Sequence, residues 1–289
     1  MMTRYADLHM HTPVSDGTDT LKERIQQAKK HDLDAIAITD HDSINPGLNE
    51  RAVERDGIEV INGAEIKAEI NGTRIEILSL FLDPEDEKLQ QLIEKNKRFR
   101  LERMREMVEK LNDLFDADLS FESVKQRSNG NPGRPHLAEE LVEKGVARDQ
   151  DQAFNEFIGR DCLAYIPLSK VSAEEVIKTV HSNGGVTSLA HPGRDLKRDE
   201  ASEIIGKLSE MGLDALEVEY TYRHKIQDGY EVNFTEVFAS RLAEDHDLLV
   251  TGGSDCHGED TNKHNIGKIK LPYSRVEQLK SRSEKYRQT

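Results

Sequence analysis

The chain begins with a short apolar strand that ends in two histidines and is followed by an aspartate. His9 and His11 are one residue apart, and Asp16 lies in a bend between Pro13 and Gly17. Alternate residues of a strand face the same side, so the two imidazoles can point at one ion, and the bend can bring the carboxylate back to them. Taken alone, this stretch fits a solvated His-x-His pair about as well as a metal site.

Other strands predicted along the chain end in the same way. The residues that directly follow buried strands include the histidines His9, His11, His41, His191 and His257 and the carboxylates Asp16, Glu65 and Asp255. In a parallel barrel the C-terminal ends of the strands meet on one face, where active sites are built. Unrelated buried histidines would each need a separate polar partner. The pattern therefore favours a polynuclear metal site, and its mixed nitrogen and oxygen ligands suit Zn, Mn or Fe better than Ca or Mg.

A predicted hairpin adds one more carboxylate to this group. Asn71-Gly72 is a strong signal for a two-residue turn. With that turn, Glu65 opposes Leu78 on the returning strand, and Glu76 lies diagonal to Glu65 on the same face. Glu76 is then within reach of an ion shared with Glu65.

Strands alternate with helices through most of the chain, which predicts an α/β fold. Thr20 and Glu23 form a capping-box pattern at the start of the first helix. The segment around Arg51 is predicted to be helical and to end at Gly57. A last short strand at 267–271 and a polar tail are predicted to complete the chain.

A mostly helical block interrupts the alternation. It contains a long charged helix from Glu85 to about Asn112 and shorter helices beyond it. The sequence therefore predicts a barrel made of residues 1–82 and 171–289, with an inserted helical subdomain at 83–170 that acts as a substrate cap.

Composition limits the possible partners. The 289 residues carry 40 Lys and Arg against 55 Asp and Glu, a net charge of −15. This charge argues against a broad electrostatic grip on duplex DNA or on an anionic membrane, but it does not exclude a small anionic substrate held by metal ions. Cys162 and Cys256 imply no disulfide framework. With neither a signal segment nor an apolar run of membrane-spanning length, a cytoplasmic protein is expected.

Together the motifs resemble the PHP (polymerase and histidinol phosphatase) family of metal-dependent phosphoesterases. The matching stretches are Asp7-Leu8-His9-Met10-His11 with Asp16, Ile38-Thr39-Asp40-His41-Asp42, Gly63-Ala64-Glu65, Ala190-His191-Pro192-Gly193 and Gly253-Ser254-Asp255-Cys256-His257. The resemblance implies a distorted (β/α)₇ TIM-like barrel. The insertion, with Gly133-Arg134-Pro135-His136 and Tyr165-Ile166-Pro167, looks like the branch that hydrolyses 3′,5′-nucleoside bisphosphates and trims short RNA from the 5′ end.

The resemblance also implies two to three divalent ions (Mn, Fe or Zn) and assigns their ligands. The first ion would be held by His9, His11, Glu65 and Asp255. Glu65 would bridge to a second ion bound by His191, and a third would be held by Asp16, His41 and His257. The residues expected to be catalytic are Asp16, His41, His191, Asp255 and His257. Glu76 stands where the family usually has a histidine; we predict that it is a ligand, and that its harder carboxylate alters the metal preference or weakens the second site.

The predicted reaction is hydrolysis of a phosphate ester by a metal-bridging hydroxide. The substrates expected are 3′,5′-nucleoside bisphosphates, nucleoside monophosphates or the 5′ ends of short oligonucleotides. Arg134, His136 and Arg194 are predicted to bind the phosphate, with an ordinary surface ion pair as the alternative for the arginines. Tyr220 and Tyr222 are candidates for stacking on a base, with core packing as the alternative, and His224 is a candidate for touching substrate.

Two other functions fit the same sequence. One is a histidinol-phosphate-type phosphomonoesterase. The other is a non-catalytic regulatory PHP module, against which the near-complete ligand set argues. For all three, we expect no membrane or duplex DNA partner and a monomer or small homo-oligomer.

Overall fold

The protein is described here by a computed structural model. It describes residues 3–128, 132–220, 226–227, 230–231 and 234–288. The chain divides into two compact units. We call Met1–Ile93 with Val171–Thr289 the barrel unit, and Glu94–Lys170 the insertion unit. The domain boundaries expected from the sequence, with the insertion at 83–170, stay a prediction.

Strands and helices alternate in the barrel unit. The strands are β1 (Tyr5–Met10), β2 (Ala35–Ile38), β3 (Ala52–Arg55), β4 (Ile58–Ile70), β5 (Thr73–Leu80), β6 (Val171–Ser172), β7 (Val186–Leu189), β8 (Ala215–Glu219), β9 (Ile226–Gln227), β10 (Tyr230–Glu231), β11 (Leu249–Gly252) and β12 (Leu271–Pro272). The helices with both ends in this unit are α1 (Leu21–Lys30), α6 (Ala173–Asn183), α7 (Pro192–Asp195), α8 (Arg198–Glu210), α9 (Glu236–Asp245) and α10 (Tyr273–Arg287). The predicted α/β class is confirmed.

The main sheet curves into a nearly closed barrel. Its strand order is β11-β8-β7-β5-β4-β2-β1-β12, and an isolated parallel bridge between Met10 and Cys256 links the end of β1 to the segment after β11. Most neighbours are parallel, but β5 is antiparallel to both β4 and β7. Glu65 opposes Leu78 in the β4–β5 hairpin, as predicted. The parallel strands therefore direct their C-terminal ends to one side.

The interior of the barrel explains why its strands are apolar. All four residues of β2 and of β7 are buried, as expected for strands covered on both faces. Helix α1 begins at the predicted capping box, in which Glu23 N donates to Thr20 Oγ1 at 3.3 Å and the Glu23 carboxylate accepts from Thr20 N at 2.7 Å. Satisfying these first-turn groups fixes where the helix begins.

Two sequence predictions in this unit are wrong, and a third, the last strand, is shifted from 267–271 to Leu271–Pro272. The segment after Arg51 is strand β3, which pairs antiparallel with β4 and sets Val53 opposite Val60. The polar tail is instead helix α10, whose Val276 and Leu279 are fully buried in the barrel-unit core. In both cases pairing or packing with distant residues outweighs weak local signals.

The insertion unit is helical. Helix α2 (Glu87–Phe115) begins in the barrel unit and ends in the insertion unit, which also contains α3 (Phe121–Gln126), α4 (Arg134–Glu143), α5 (Gln150–Gln152) and a π-helix at Ala153–Ile158. Its core includes Met107, Leu111, Val124, Leu137 and Leu141. The apolar spacing along α2 and α4 places these side chains on the inward faces of the two helices.

The described helices are mostly polar on one side. The longest, α2, has 29 residues and carries charged side chains along its length. Across the described ranges, no helix combines the length and the apolar character needed to cross a membrane. The cytoplasmic location expected from the sequence stays a prediction.

Candidate metal centre

The strand ends of the barrel unit bring five histidine rings together. His11, just after β1, has its ring centroid 5.3 Å from that of His9, 4.5 Å from that of His41 and 4.1 Å from that of His257. On the other side of His9, the ring of His191 lies at 5.5 Å. All five predicted strand-end histidines therefore occupy one site.

The ligands expected for the first ion surround a common point. His9 Nε2 lies 3.4 Å from Glu65 Oε1 and 3.7 Å from Asp255 Oδ1. His11 Nε2 lies 3.5 Å from Glu65 Oε2 and 3.3 Å from Asp255 Oδ1. Ligands bound at about 2.0–2.2 Å to a tetrahedral zinc ion are separated by about 3.3–3.6 Å. The four side chains are therefore spaced as a metal ion requires.

A second group adjoins the first through Glu65. His191 Nε2 lies 2.9 Å from Glu65 Oε1 and 3.3 Å from Glu76 Oε2. Burial and the charge of Glu65 oppose ionisation of Glu76, but the hydrogen bond with His191 and the charge of Lys67 hold the pKa of Glu76 below its usual value. Glu76 thus presents an ionised carboxylate where the hairpin prediction placed it.

A third group lies at the mouth of the site. Asp16 Oδ2 is 3.6 Å from His41 Nε2, and Asp16 Oδ1 is 3.4 Å from His257 Nε2. His11 Nδ1 is 3.9 Å from Asp16 Oδ1, which adds a nitrogen to the expected set. The Asp16 side chain is 55% exposed, in contrast to the fully buried Glu65. This group is therefore the most accessible of the three.

Unpaired polar atoms indicate that the site fits a cation. Among the described residues, the buried atoms His9 Nε2, His11 Nε2, Glu65 Oε2 and Asp255 Oδ1 have no hydrogen-bond partner. An unsatisfied buried polar group costs about 1–3 kcal/mol. A divalent cation satisfies both imidazole nitrogens and carboxylate oxygens, so these residues fit the metal ions that the sequence predicts.

Charge within the site also favours a cation. Burial lowers the pKa of His9, but the negative charges of Glu217 and Glu65 more than offset it and raise the pKa to about 10. Burial lowers the pKa of His11 to about 3. Burial raises the pKa of the Glu65 and Asp255 carboxyls, but neighbouring histidine charge lowers both well below their usual values. The ionised carboxylates therefore attract positive charge to this centre, which draws a proton to His9, whereas the imidazole of His11 is neutral.

The structure adds three residues that sequence reasoning missed. Glu217 Oε1 is 3.0 Å from His9 Nδ1, Asp195 Oδ2 is 3.1 Å from His191 Nδ1, and Lys263 Nζ donates to Asp255 Oδ2 at 2.7 Å. Glu217 carries no local signal, because it alternates with Glu219 along β8 as solvent-facing residues do. The other two residues lie outside the motifs.

The backbone around the ligands is held by a buried arginine and by close packing of a glycine against the first strand. Arg24 is fully buried, and its Nη2 donates to the carbonyls of His11 at 2.8 Å and Cys256 at 3.0 Å. A Cβ on Gly253 would lie 2.3 Å from the His9 Cβ. Only glycine allows this approach, which brings the segment after β11 against β1.

The predicted substrate-binding residues lie in both units. In the barrel unit, Arg194 Nη2 donates to Glu76 Oε2 at 2.8 Å, and Tyr220 OH donates to Asp255 Oδ2 at 2.9 Å. Within the insertion unit, the Arg134 guanidinium lies 5.6 Å from the Tyr165 ring centroid, and His136 Nδ1 accepts from Gly133 N at 3.1 Å. The roles of these residues in substrate binding stay predictions.

Two further candidates, Tyr222 and His224, lie outside the described residues. The metal-ligand assignments also stay predictions, although the geometry brings all nine of the residues concerned into one site.

Sequence comparison matches the chain to a known family. The model of the PHP domain matches residues 7–144, which include the first strand-end motifs and Glu65. Over just under half of its length, the chain is similar to the PHP family. The recognition made from the strand-end motifs is thereby confirmed.

Named relatives cover most of this chain. It is 29% identical over 259 residues to a 5′-3′ exoribonuclease of Haemophilus influenzae, covering 89% of this chain and 91% of the relative. It is 29% identical over 265 residues to a 3′,5′-nucleoside bisphosphate phosphatase of Chromobacterium violaceum, covering 90% of each. A crystal structure from Bifidobacterium adolescentis, described as a metal-dependent phosphoesterase, superposes with a TM-score of 0.71 at 29% identity over 96% of each chain.

Proposed function

We propose that this protein hydrolyses phosphate esters of small nucleotides, namely 3′,5′-nucleoside bisphosphates, nucleoside monophosphates or the 5′ ends of short oligonucleotides. The class, a metal-dependent phosphoesterase, follows from the family and its named relatives. The substrate is the proposed part. It is supported by relatives that act on nucleoside bisphosphate and on RNA.

The observation that carries the proposal is the set of unpaired, buried ligand atoms at the barrel mouth. His9, His11, Glu65 and Asp255 would hold one ion, Glu65, Glu76 and His191 a second, and Asp16, His41 and His257 a third. Bound divalent ions supply an activated water and neutralise the charge that develops on the phosphoryl group. A structural or purely regulatory domain has no need of such a ligand set.

The chain's own residues orient these ligands. His257 Nδ1 donates to the carbonyl of Asp255 at 2.9 Å, so its Nε2 keeps a lone pair facing Asp16. Asp40 accepts from Thr12 N at 2.7 Å and from Ser15 Oγ at 2.8 Å, which anchors the bend that carries Asp16. Each of these contacts fixes the position of an expected metal-ligand atom before substrate binds. Such preorganisation is what electrostatic catalysis requires.

Cations beside the carboxylates fit the substrate phosphate. Arg194 and Lys263 both approach Asp255 Oδ2, at 3.6 Å and 2.7 Å. Their side chains are 38% and 34% exposed, whereas that of Asp255 is 2% exposed. An arginine can bind a phosphoryl group through two parallel hydrogen bonds. We assign Arg194, with Lys263 beside it, to the phosphate of the substrate.

The test is a phosphate-release panel on protein loaded with Mn²⁺, Fe²⁺ or Zn²⁺. The substrates are a 3′,5′-nucleoside bisphosphate, a nucleoside monophosphate, histidinol phosphate and a short 5′-phosphorylated RNA, with RNA shortening followed in parallel. The proposal predicts the highest kcat/KM for a nucleotide or the RNA. A higher kcat/KM for histidinol phosphate than for any nucleotide or RNA would refute the proposed substrate class. No phosphate release from any substrate, with metals bound, would refute catalysis.

A further inference from the structure

Glu217 makes two contacts that connect two different parts of the metal centre. Its side chain is fully buried on β8. The carboxylate oxygens lie 3.0 and 3.2 Å from His9 Nδ1. Oxygen Oε2 also accepts from the backbone N of His191 at 2.7 Å. His9 and His191 are expected to serve different ions, so one carboxylate touches the supports of both.

The contact with His9 decides which imidazole nitrogen is available. An ionised carboxylate only accepts hydrogen bonds, so His9 Nδ1 carries a proton when it pairs with Glu217. In a neutral ring the lone pair is then on Nε2. That atom is the one that lies 3.4 Å from Glu65 Oε1 and 3.7 Å from Asp255 Oδ1. Glu217 therefore selects the ring form that can bind an ion.

The contact with His191 supports an unusual backbone. His191 has φ 24° and ψ 58°, a conformation that residues other than glycine rarely adopt. The hydrogen bond from its backbone N to Glu217 helps to hold this conformation, which turns His191 Nε2 to within 2.9 Å of Glu65 Oε1. Strained backbone persists where surrounding contacts fix it.

We propose that Glu217 is a positioning residue that sets metal affinity at two positions at once, the one that contains His9 and the one that contains His191. This inference rests on the metal-dependent site of the proposed function, but it concerns affinity and not the substrate. Carboxylates that orient ligating histidines typically contribute about 10- to 100-fold to metal affinity. A residue that merely fills space in the barrel would contribute through its volume alone.

Glu217→Gln distinguishes a positioning role from a space-filling role, because glutamine has nearly the same shape as glutamate. Either orientation of its amide places the NH₂ group against His9 Nδ1–H or against the backbone N–H of His191. The first arrangement favours a ring with its proton on Nε2, which blocks the ligand atom, and the second weakens support of His191. A space-filling role would tolerate the change.

The experiment titrates the purified chain with Mn²⁺ and with Zn²⁺ against a chromophoric chelator, and it follows folding by circular dichroism. We expect Glu217→Gln to stay folded and to lose about 10- to 100-fold in affinity at the position whose contact its NH₂ group replaces. Glu217→Leu removes both contacts at similar volume and should lose affinity at both positions. Glu219→Gln, on the same strand, is the matched control and should bind as the unsubstituted chain does. Unchanged affinity in Glu217→Gln, or a loss confined to one position in Glu217→Leu, would overturn the inference.

A measurement on the unsubstituted protein keeps the test valid if the variant does not fold. In Zn²⁺-loaded chain labelled with ¹⁵N-histidine, NMR should detect a protonated Nδ1 and a metal-bound Nε2 for His9. Metal on Nδ1 of His9, or no metal bound, would overturn the inference. Tight metal binding without phosphate release would instead refute the proposed function. The role of Glu217 would then still be decided by the metal affinities of its variants.

Discussion

Arg194 Nη2 donates to Glu76 Oε2 at 2.8 Å, so a residue predicted to bind phosphate is paired with a residue predicted to bind metal. The same carboxylate oxygen lies 3.3 Å from His191 Nε2. A cation held by Glu76 and His191 would weaken the pairing of this oxygen with Arg194 and leave the guanidinium available to an anion. Metal loading and phosphate binding are therefore expected to reinforce each other.

The first prediction concerns the two arginines that are predicted from the sequence to bind phosphate. Arg194→Ala and Arg134→Ala should each raise KM for phosphorylated substrates about tenfold or more, because a hydrogen bond to a charged group contributes about 1.5–3 kcal/mol. Steady-state kinetics with a nucleotide substrate measure the effect. Arg241→Ala in the barrel unit and Arg148→Ala in the insertion unit are the controls. An unchanged KM in either test variant would show that its arginine does not bind the substrate phosphate.

The second prediction concerns Glu76 as a ligand. Glu76→Gln removes the charge of a carboxylate that lies 3.3 Å from His191 Nε2, and an amide is a much weaker metal ligand. Metal analysis after exhaustive dialysis should find one ion fewer per chain than in the unsubstituted protein. Glu69→Gln, an exposed change on the neighbouring strand, should leave the count unaltered. A full metal complement in Glu76→Gln would end its assignment as a ligand.

The third prediction concerns Asp16, which contacts His41 and His257 at the mouth. Asp16→Asn should empty the position formed by these three residues and leave the ion at His9 and His11 bound, because Asp16 contributes no atom to the first group. Anomalous scattering from crystals grown with Mn²⁺ identifies which position is lost. Glu50→Gln is an exposed control. Loss of both ions would show that the positions are not separable in this way.

The fourth prediction concerns stability away from the metal centre. Asp214 accepts hydrogen bonds from Thr187 N at 3.0 Å, Arg282 Nη1 at 2.8 Å and Tyr286 OH at 2.6 Å. Burial raises the pKa of Asp214, but the hydrogen bond and charge of His181 outweigh this and hold it below 3.8. Because the folded-state pKa is depressed, the stabilisation is present above pH 4 and is lost as the pH falls through the folded-state value.

Asp214→Asn should therefore destabilise the protein by about 3 kcal/mol at pH 7. The difference from the unsubstituted protein should shrink as the pH is lowered below about 4. Urea unfolding across this pH range measures both effects, with the exposed Asp260→Asn as control. A difference that is independent of pH would mean that the charge of Asp214 makes no contribution.

Much of the site could be predicted because its ligands lie where strands end. A strand such as β2 is recognisable from its four consecutive apolar residues, and His41 follows it after a short interval. The turn at Asn71-Gly72 fixes the register of β4 and β5, and that register places Glu76 on the face of Glu65. In both cases a local signal determines a three-dimensional position.

Other features depend on contacts that the local sequence does not encode. The segment Ala52–Arg55 has residues that suit a helix, and only its pairing with β4 makes it a strand. Glu217 and Glu219 alternate along β8 as if both faced solvent, yet Glu217 is fully buried against His9. Which face of a strand lies inside a barrel is decided by closure of the sheet, which joins residues far apart in sequence.

The most direct test of the account is the number of divalent ions bound per chain. Elemental (inductively coupled plasma) mass spectrometry measures it in the unsubstituted protein and in Glu65→Gln. Glu65 lies within 3.5 Å of ligand nitrogens on His9, His11 and His191 and is the proposed bridge. The account predicts two to three ions in the unsubstituted protein. In the variant it predicts the loss of at least one ion and the loss of phosphate release. Fewer than one ion per chain, or a full complement in Glu65→Gln, would contradict it.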